Sequence, residues 1–116
     1  MREFDHVGLP TDKKQKGETY VAATKVWVTS PREDKYKVEY LRFEADSPVK
    51  GPVRDLPHLA FRVDSIAKAI KGKKVLLGPF RVDSNLRVVF VWKDQAVFEY
   101  MQFKDKTLWM GKKCKV

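Results

Sequence analysis

Two histidines and two glutamates occupy matched places in this chain, and together they have the chemistry of a divalent metal site. His6 and His58 are the only histidines, and each lies in a similar segment, DHVGLPTD (5–12) and PHLAFRVD (57–64). Aligning the two puts His6 on His58 and Asp12 on Asp64. A second pair, VEYLRF (38–43) and FEYMQF (98–103), puts Glu39 on Glu99 and Tyr40 on Tyr100. One short strand match would say little, because strands share composition. Two matches in the same order, each with an ionisable residue in register, point to a duplicated unit. A buried glutamate without a counter-charge is costly, and two near each other more so. A divalent cation held by both removes that cost. Two imidazoles with two carboxylates suit Zn²⁺, Ni²⁺, Co²⁺, Fe²⁺ or Mn²⁺ and argue against a thiolate site.

Strand parity says which neighbours would surround such a centre, because alternate side chains face opposite ways. His6 is expected to share a face with Phe4, Gly8 and Pro10, and His58 with Ala60 and Arg62. Each histidine therefore has a very small residue two positions along, which leaves room beside a metal. Glu39 falls with Leu41 and Phe43, and Glu99 with Val97, Met101 and Phe103. Phe43, Met101 and Phe103 read as barrel lining that would wall a substrate site, and Arg62 either as a cavity-facing clamp for a carboxylate or phosphate or as a side chain reaching solvent from the strand end. Tyr40 and Tyr100 point the other way, as packing residues.

The elements that must hold these residues are legible in outline. FDHVGLP (4–10) reads as a strand, followed by a polar, lysine-rich loop from Thr11 to Gly17. Thr19 to Thr29 is β-branched and aromatic and reads as a strand, although its first half could form a short helix. It is ended by Ser30-Pro31 and paired as a hairpin with Tyr36 to Phe43. SPVKGPVRDLP is a connector, so the halves span about 1–47 and 57–104 with 48–56 between them. In the second half 58–64 is a strand. Asp64 or Ser65 caps a short helix through Ile66 and Ile70 that Gly72 ends. A brief strand, Val75 to Leu77, stops at Gly78-Pro79. Leu86 to Trp92 and Ala96 to Phe103 then form a hairpin around Lys93-Asp94-Gln95.

Composition excludes several classes. At 116 residues the chain is read as a single domain, 1–116. No apolar run is long enough for a membrane span, and MREFDHVGLP has no signal-peptide stretch. The lone Cys114 has no intrachain partner, which favours a reduced, cytoplasmic setting. The formal charge of +9 comes from 17 lysines and 7 arginines. The lysines gather in bunches: Lys13, Lys14 and Lys16; Lys71, Lys73 and Lys74; Lys112, Lys113 and Lys115. Such bunches read as solvated surface rather than a nucleic-acid interface, where arginines and aromatics share one element. The charge is expected to steer anionic small molecules toward the protein.

The segments DHVGLPT, PHLAFRVDSIAKAIKG, LLGP and VFEYMQF resemble the vicinal oxygen chelate superfamily. That superfamily includes glyoxalase I, extradiol dioxygenases and bleomycin-resistance proteins. The resemblance implies an α+β fold of two paired βαβββ modules forming a curved, open, barrel-like sheet. It further implies metal ligands on the first and last strands of each module, positions that His6, Glu39, His58 and Glu99 match one for one. The first half has no counterpart of the helix at 65–71, so module one reads as trimmed. Four protein ligands imply an isomerase, epimerase or lyase acting on a small, anionic or polyoxygenated substrate with vicinal oxygens. Glu39 or Glu99 would serve as the base. The alternative is a metal-free ligand-binding or resistance-type protein of the same fold. A homodimer is expected, because the trimmed module leaves the outward face of Val38, Tyr40 and Arg42 thinly covered. Leu108, Trp109 and Met110 are the obvious local cover for that face.

Overall fold

The computed structural model describes residues 2–114, so Lys115 of the last lysine bunch lies outside the described residues. The elements run β1 (Arg2–Pro10), β2 (Thr19–Val21), β3 (Val26–Val28), a 3-10 turn (Pro31–Glu33) and β4 (Val38–Phe43). Then come α1 (Pro52–Asp55), β5 (His58–Val63), α2 (Ile66–Ala69), β6 (Lys74–Arg81), β7 (Leu86–Lys93) and β8 (Ala96–Phe103). A hairpin of β9 (Leu108–Trp109) and β10 (Lys112–Lys113) closes the chain. Eight strands form one mixed sheet in the order β2-β3-β4-β1-β5-β8-β7-β6. This is the α+β architecture of two paired modules around a curved, open sheet.

The modules meet at β1 and β5, which pair antiparallel. Within each module the first and last strands pair in parallel, β1 with β4 and β5 with β8, and an antiparallel hairpin extends the sheet outward. A parallel neighbour requires a crossover. In module two the crossover carries α2. Ser65 caps that helix, its hydroxyl accepting from the Lys68 N–H, and Gly72 follows it at a positive φ. Ile66 and Ala69 press α2 onto Val89, Val91 and Tyr100, forming an outer core layer that includes Phe61 and Phe98.

Module one lacks this helix, as its sequence indicates. The loop after β1 folds across the outer side of the sheet instead. There Glu18 receives two hydrogen bonds from the Arg42 guanidinium, at 2.9 and 2.8 Å. Arg42 in turn lies over the Trp27 ring, 5.6 Å from its centre.

Four sequence readings need correction. The stretch from Thr19 to Thr29 is two strands with a tight turn at 22–25, because Lys25 takes a positive φ there. The strand beginning at Lys74 does not stop at Gly78-Pro79. It runs on to Arg81 through two register shifts, since proline removes one ladder donor without preventing the strand from resuming beyond it. The connector contains α1, whose Val53 is buried with Val49 under the concave face. Trp109 does not cover the outward face of module one. It is buried on the inner side, in the core layer with Ala60, Val88 and Met101.

Because α2 packs on the face opposite the histidines, its contribution separates cleanly from theirs. Ile66→Ala is expected to destabilise the fold by about 2–5 kcal/mol while leaving metal affinity unchanged. Urea unfolding and metal titration of the same variant check the two halves of that statement.

Candidate metal centre

The register at the module seam brings the four residues together. Gly8 stands opposite His58, and His6 opposite Ala60. On the flanking parallel strands Glu39 lies beside Gly8, and Glu99 beside Ala60. Exchanging the two modules maps each of these pairs onto the other. A repeat read along the chain thus becomes a cluster around a pseudo-two-fold axis. One donor atom from each of His6, Glu39, His58 and Glu99 lies within 4.8 Å of the others. All four residues are buried, His6 completely.

The contacts are close and nearly symmetric. His6 Nε2 is 3.2 Å from Glu39 Oε1 and 3.5 Å from Glu99 Oε1. His58 Nε2 is 3.0 Å from Glu99 Oε1 and 3.8 Å from Glu39 Oε1. Even so, neither Nε2 is aligned for a hydrogen bond, and both are buried without a hydrogen-bond partner. A buried polar atom left unpaired is unusual enough to need a reason. Two imidazole nitrogens and two carboxylates converging on one point fit a divalent cation, and these four residues could hold one.

Gly8 is required by this geometry. A Cβ at that position would fall within the van der Waals envelope of the His58 ring, against Cε1, Nε2 and Nδ1 alike. His58 therefore occupies the volume that a side chain at position 8 would fill. Its ring is flanked on another side by Phe90, centre to centre 5.3 Å.

Asp5 orients the other histidine. A register shift between Phe4 and His6 inserts one extra residue opposite β5, a bulge that changes which side chains face inward. The expectation that Phe4 shares the His6 face fails for this reason. Phe4 is half exposed and packs edge-on against Phe61 of the outer layer. Asp5 is buried and its Oδ2 lies 2.7 Å from His6 Nδ1. Its Oδ1 accepts from Arg32 Nη2 at 2.9 Å and from Arg62 Nη1 at 3.0 Å. In module two the residue aligned with Asp5 is Pro57, which has no carboxylate.

Electrostatics follow from these contacts. Burial opposes protonation of His6, but the charge of Glu39 and the hydrogen bond that His6 donates to Asp5 outweigh it and hold His6 well above the ordinary histidine range. Burial likewise pushes Glu99 up, yet the close His58 and His6 imidazoles pull its carboxyl down to about 2. Asp5, also opposed by burial, is held below the usual carboxylate range by His6 and Arg32. His6, Glu99 and Asp5 thus compensate one another's burial.

Above the cluster lies a cavity of about 50 Å³, into which Glu39 and Glu99 open. Of the side chains read as substrate wall, Phe43 and Met101 line it. Phe103 does not; it packs beside Trp109, with ring centres 6.4 Å apart. Arg62 does share the inner face of β5, but it is drawn to Asp5 and Glu3 rather than into the cavity.

Sequence reasoning missed Asp5, Arg32 and Trp109. Asp5 was visible as the acid beside a repeated histidine, but strand alternation turned it away. Trp109 meets the His6 ring edge-on at 5.7 Å, and Arg32 lies over Trp109 while donating to the Lys106 carbonyl. Both lie outside the repeated segments, so no internal match could mark them.

No family model matches this chain, and no curated protein matches it. Solved structures do. The crystal structure of the hypothetical protein BH1468 from Bacillus halodurans C-125 is similar, with a TM-score of 0.65 and 18% identity, covering 90% of this chain and 96% of that one. A triple mutant of 4-hydroxymandelate synthase from Streptomyces coelicolor gives a TM-score of 0.49 and 17% identity, over 89% of this chain and 48% of that chain. At such identities the first likeness is one of fold.

Two substitutions test the geometry. Gly8→Ala is expected to displace the His58 ring and sharply weaken metal binding. Asp5→Asn is expected to lower metal affinity by about 10–100-fold, the usual cost of losing a carboxylate behind a ligating imidazole. Calorimetric titration with Zn²⁺ measures both, with circular dichroism confirming that the fold persists.

Proposed function

We propose that this chain is a metal-dependent enzyme of the vicinal oxygen chelate type. In this reading it is an isomerase, epimerase or lyase acting on a small substrate with two adjacent oxygens. One observation carries the reading: two buried, unpartnered imidazole nitrogens and two buried carboxylates converge beneath a small cavity. The ligand positions on the first and last strand of each paired module support the same family.

His6, His58, Glu39 and Glu99 would hold the ion. When bound, a divalent cation supplies Lewis acidity that stabilises negative charge on substrate oxygens. The remaining work falls to side chains of this protein. Glu39 and Glu99 both open onto the cavity, so either carboxylate can take a proton from a carbon beside a carbonyl. Val88, Phe90 and Met101 keep bulk water from the reacting centre, where charge–charge interactions are correspondingly stronger. Asp5 fixes the His6 ring through Nδ1, leaving Nε2 to face the centre.

Elemental analysis of protein purified without a chelating tag is expected to find one divalent metal per chain. His58→Ala and Glu99→Ala are each expected to lose it, and a panel of hydroxy-carbonyl compounds and keto-sugars should then yield activity only with the loaded wild type. A protein that holds no metal, and gains none when offered Zn²⁺, Ni²⁺, Fe²⁺ or Mn²⁺, would instead be a metal-free binding protein of the same fold.

A further inference from the structure

The net charge and the cavity point to opposite kinds of ligand. A chain of formal charge +9 suggests an anionic substrate, yet among the described residues no lysine or arginine lines the cavity. Its polar lining consists of Glu39, Glu99 and Thr24, and the rest is aliphatic, aromatic or methionine. Several basic residues belong to exposed surface, including Lys13, Lys14, Lys71, Lys112 and Lys113. The guanidinium groups nearest the centre are committed elsewhere. Arg32 and Arg62 both bind Asp5 on the far side of His6, and Arg54 lies over the Phe43 ring without joining the lining.

We infer that the site selects an uncharged, largely apolar small molecule that presents two adjacent oxygens, and disfavours one that carries a carboxylate or phosphate. The inference rests on the metal reading above, and the charge balance then decides it. Two glutamates and a divalent cation sum to zero, so the centre has no positive charge left over. A further carboxylate entering the cavity would lose its hydration shell and meet no cation in exchange. Burying an ion without a partner is among the most expensive changes a protein interior can accept. An apolar chain of the same size has the reverse balance. It leaves water for contacts with Val28, Leu41, Val88 and Met101, all of them buried, and gains from the transfer. The surface lysines act at longer range, through a field that salt screens within about 8–10 Å.

The test uses protein loaded with Co²⁺, whose visible absorption reports changes in its ligands. Two hydroxamates offer the same pair of adjacent oxygens on chains of equal length. Butyrohydroxamic acid ends in a methyl group, and succinic acid monohydroxamate ends in a carboxylate. Butyrohydroxamic acid is expected to reach half-maximal spectral change at a concentration at least tenfold lower. Met101→Lys, which adds a cation to the lining, is expected to narrow or reverse that preference. Equal or tighter binding of the acid by the wild-type protein would overturn the inference and leave the metal reading standing. Failure of the protein to take up Co²⁺ would overturn both. If Met101→Lys does not fold, the wild-type comparison decides the matter alone.

Discussion

The antiparallel seam between β1 and β5 is the constraint on which the rest of this molecule depends. With Gly8 opposite His58 and His6 opposite Ala60, the two histidines lie on one face of the sheet, with ring centres 5.5 Å apart. Because side chains alternate along a strand, a slip of one residue would send either ring to the other face. The parallel neighbours β4 and β8 are bound by the same condition, since Glu39 and Glu99 take their places from Gly8 and Ala60. The close approach at Gly8 adds a steric condition to the hydrogen-bonded one. Where the pseudo-symmetric position tolerates the methyl of Ala60, position 8 tolerates no side chain at all.

A seam of this kind forces ionisable groups into a place where water cannot solvate them. The cluster answers with mutual compensation, the imidazoles lowering Glu99 while Glu39 and Asp5 raise His6. Asp5 extends the arrangement outward, joining the centre to Arg32 and Arg62. Arg32 also contacts the Trp109 ring and the Lys106 carbonyl, so the C-terminal hairpin is tied to the same charges that orient His6. The two histidines are therefore equivalent in position and unequal in support. His6 is gripped through Nδ1, whereas His58 is confined mainly by packing against Gly8 and Phe90.

Polarity is distributed the same way on a larger scale. The concave face gathers aliphatic and aromatic side chains around two carboxylates, while much of the excess positive charge sits on exposed surface. Net charge describes how the molecule looks from a distance, and the cavity lining describes what a ligand meets on arrival. Where the two differ, charge–charge interactions weigh more in the desolvated interior, because the local dielectric there is lower.

The buried cluster that could hold a metal was legible in the amino-acid sequence because it is written twice. The repeats of HVGL with HLAF and of VEYL with FEYM identify a duplicated module, and strand alternation then assigns the inward face of β4, β5 and β8 correctly. The capped helix α2, the absence of its partner in module one and the two-module sheet follow from the same reading. What alternation could not reveal was its own interruption, the bulge at Asp5 that turns Phe4 outward and brings an acid behind His6. Nor could it show that Arg62 answers to Asp5, or that Trp109 seats against the centre. Those relations join residues far apart in the chain that share no repeat, and they exist only once β1, the Pro31–Glu33 turn and the C-terminal hairpin have been packed together. Periodicity records which face of an element a residue belongs to; packing alone decides which charge it meets there.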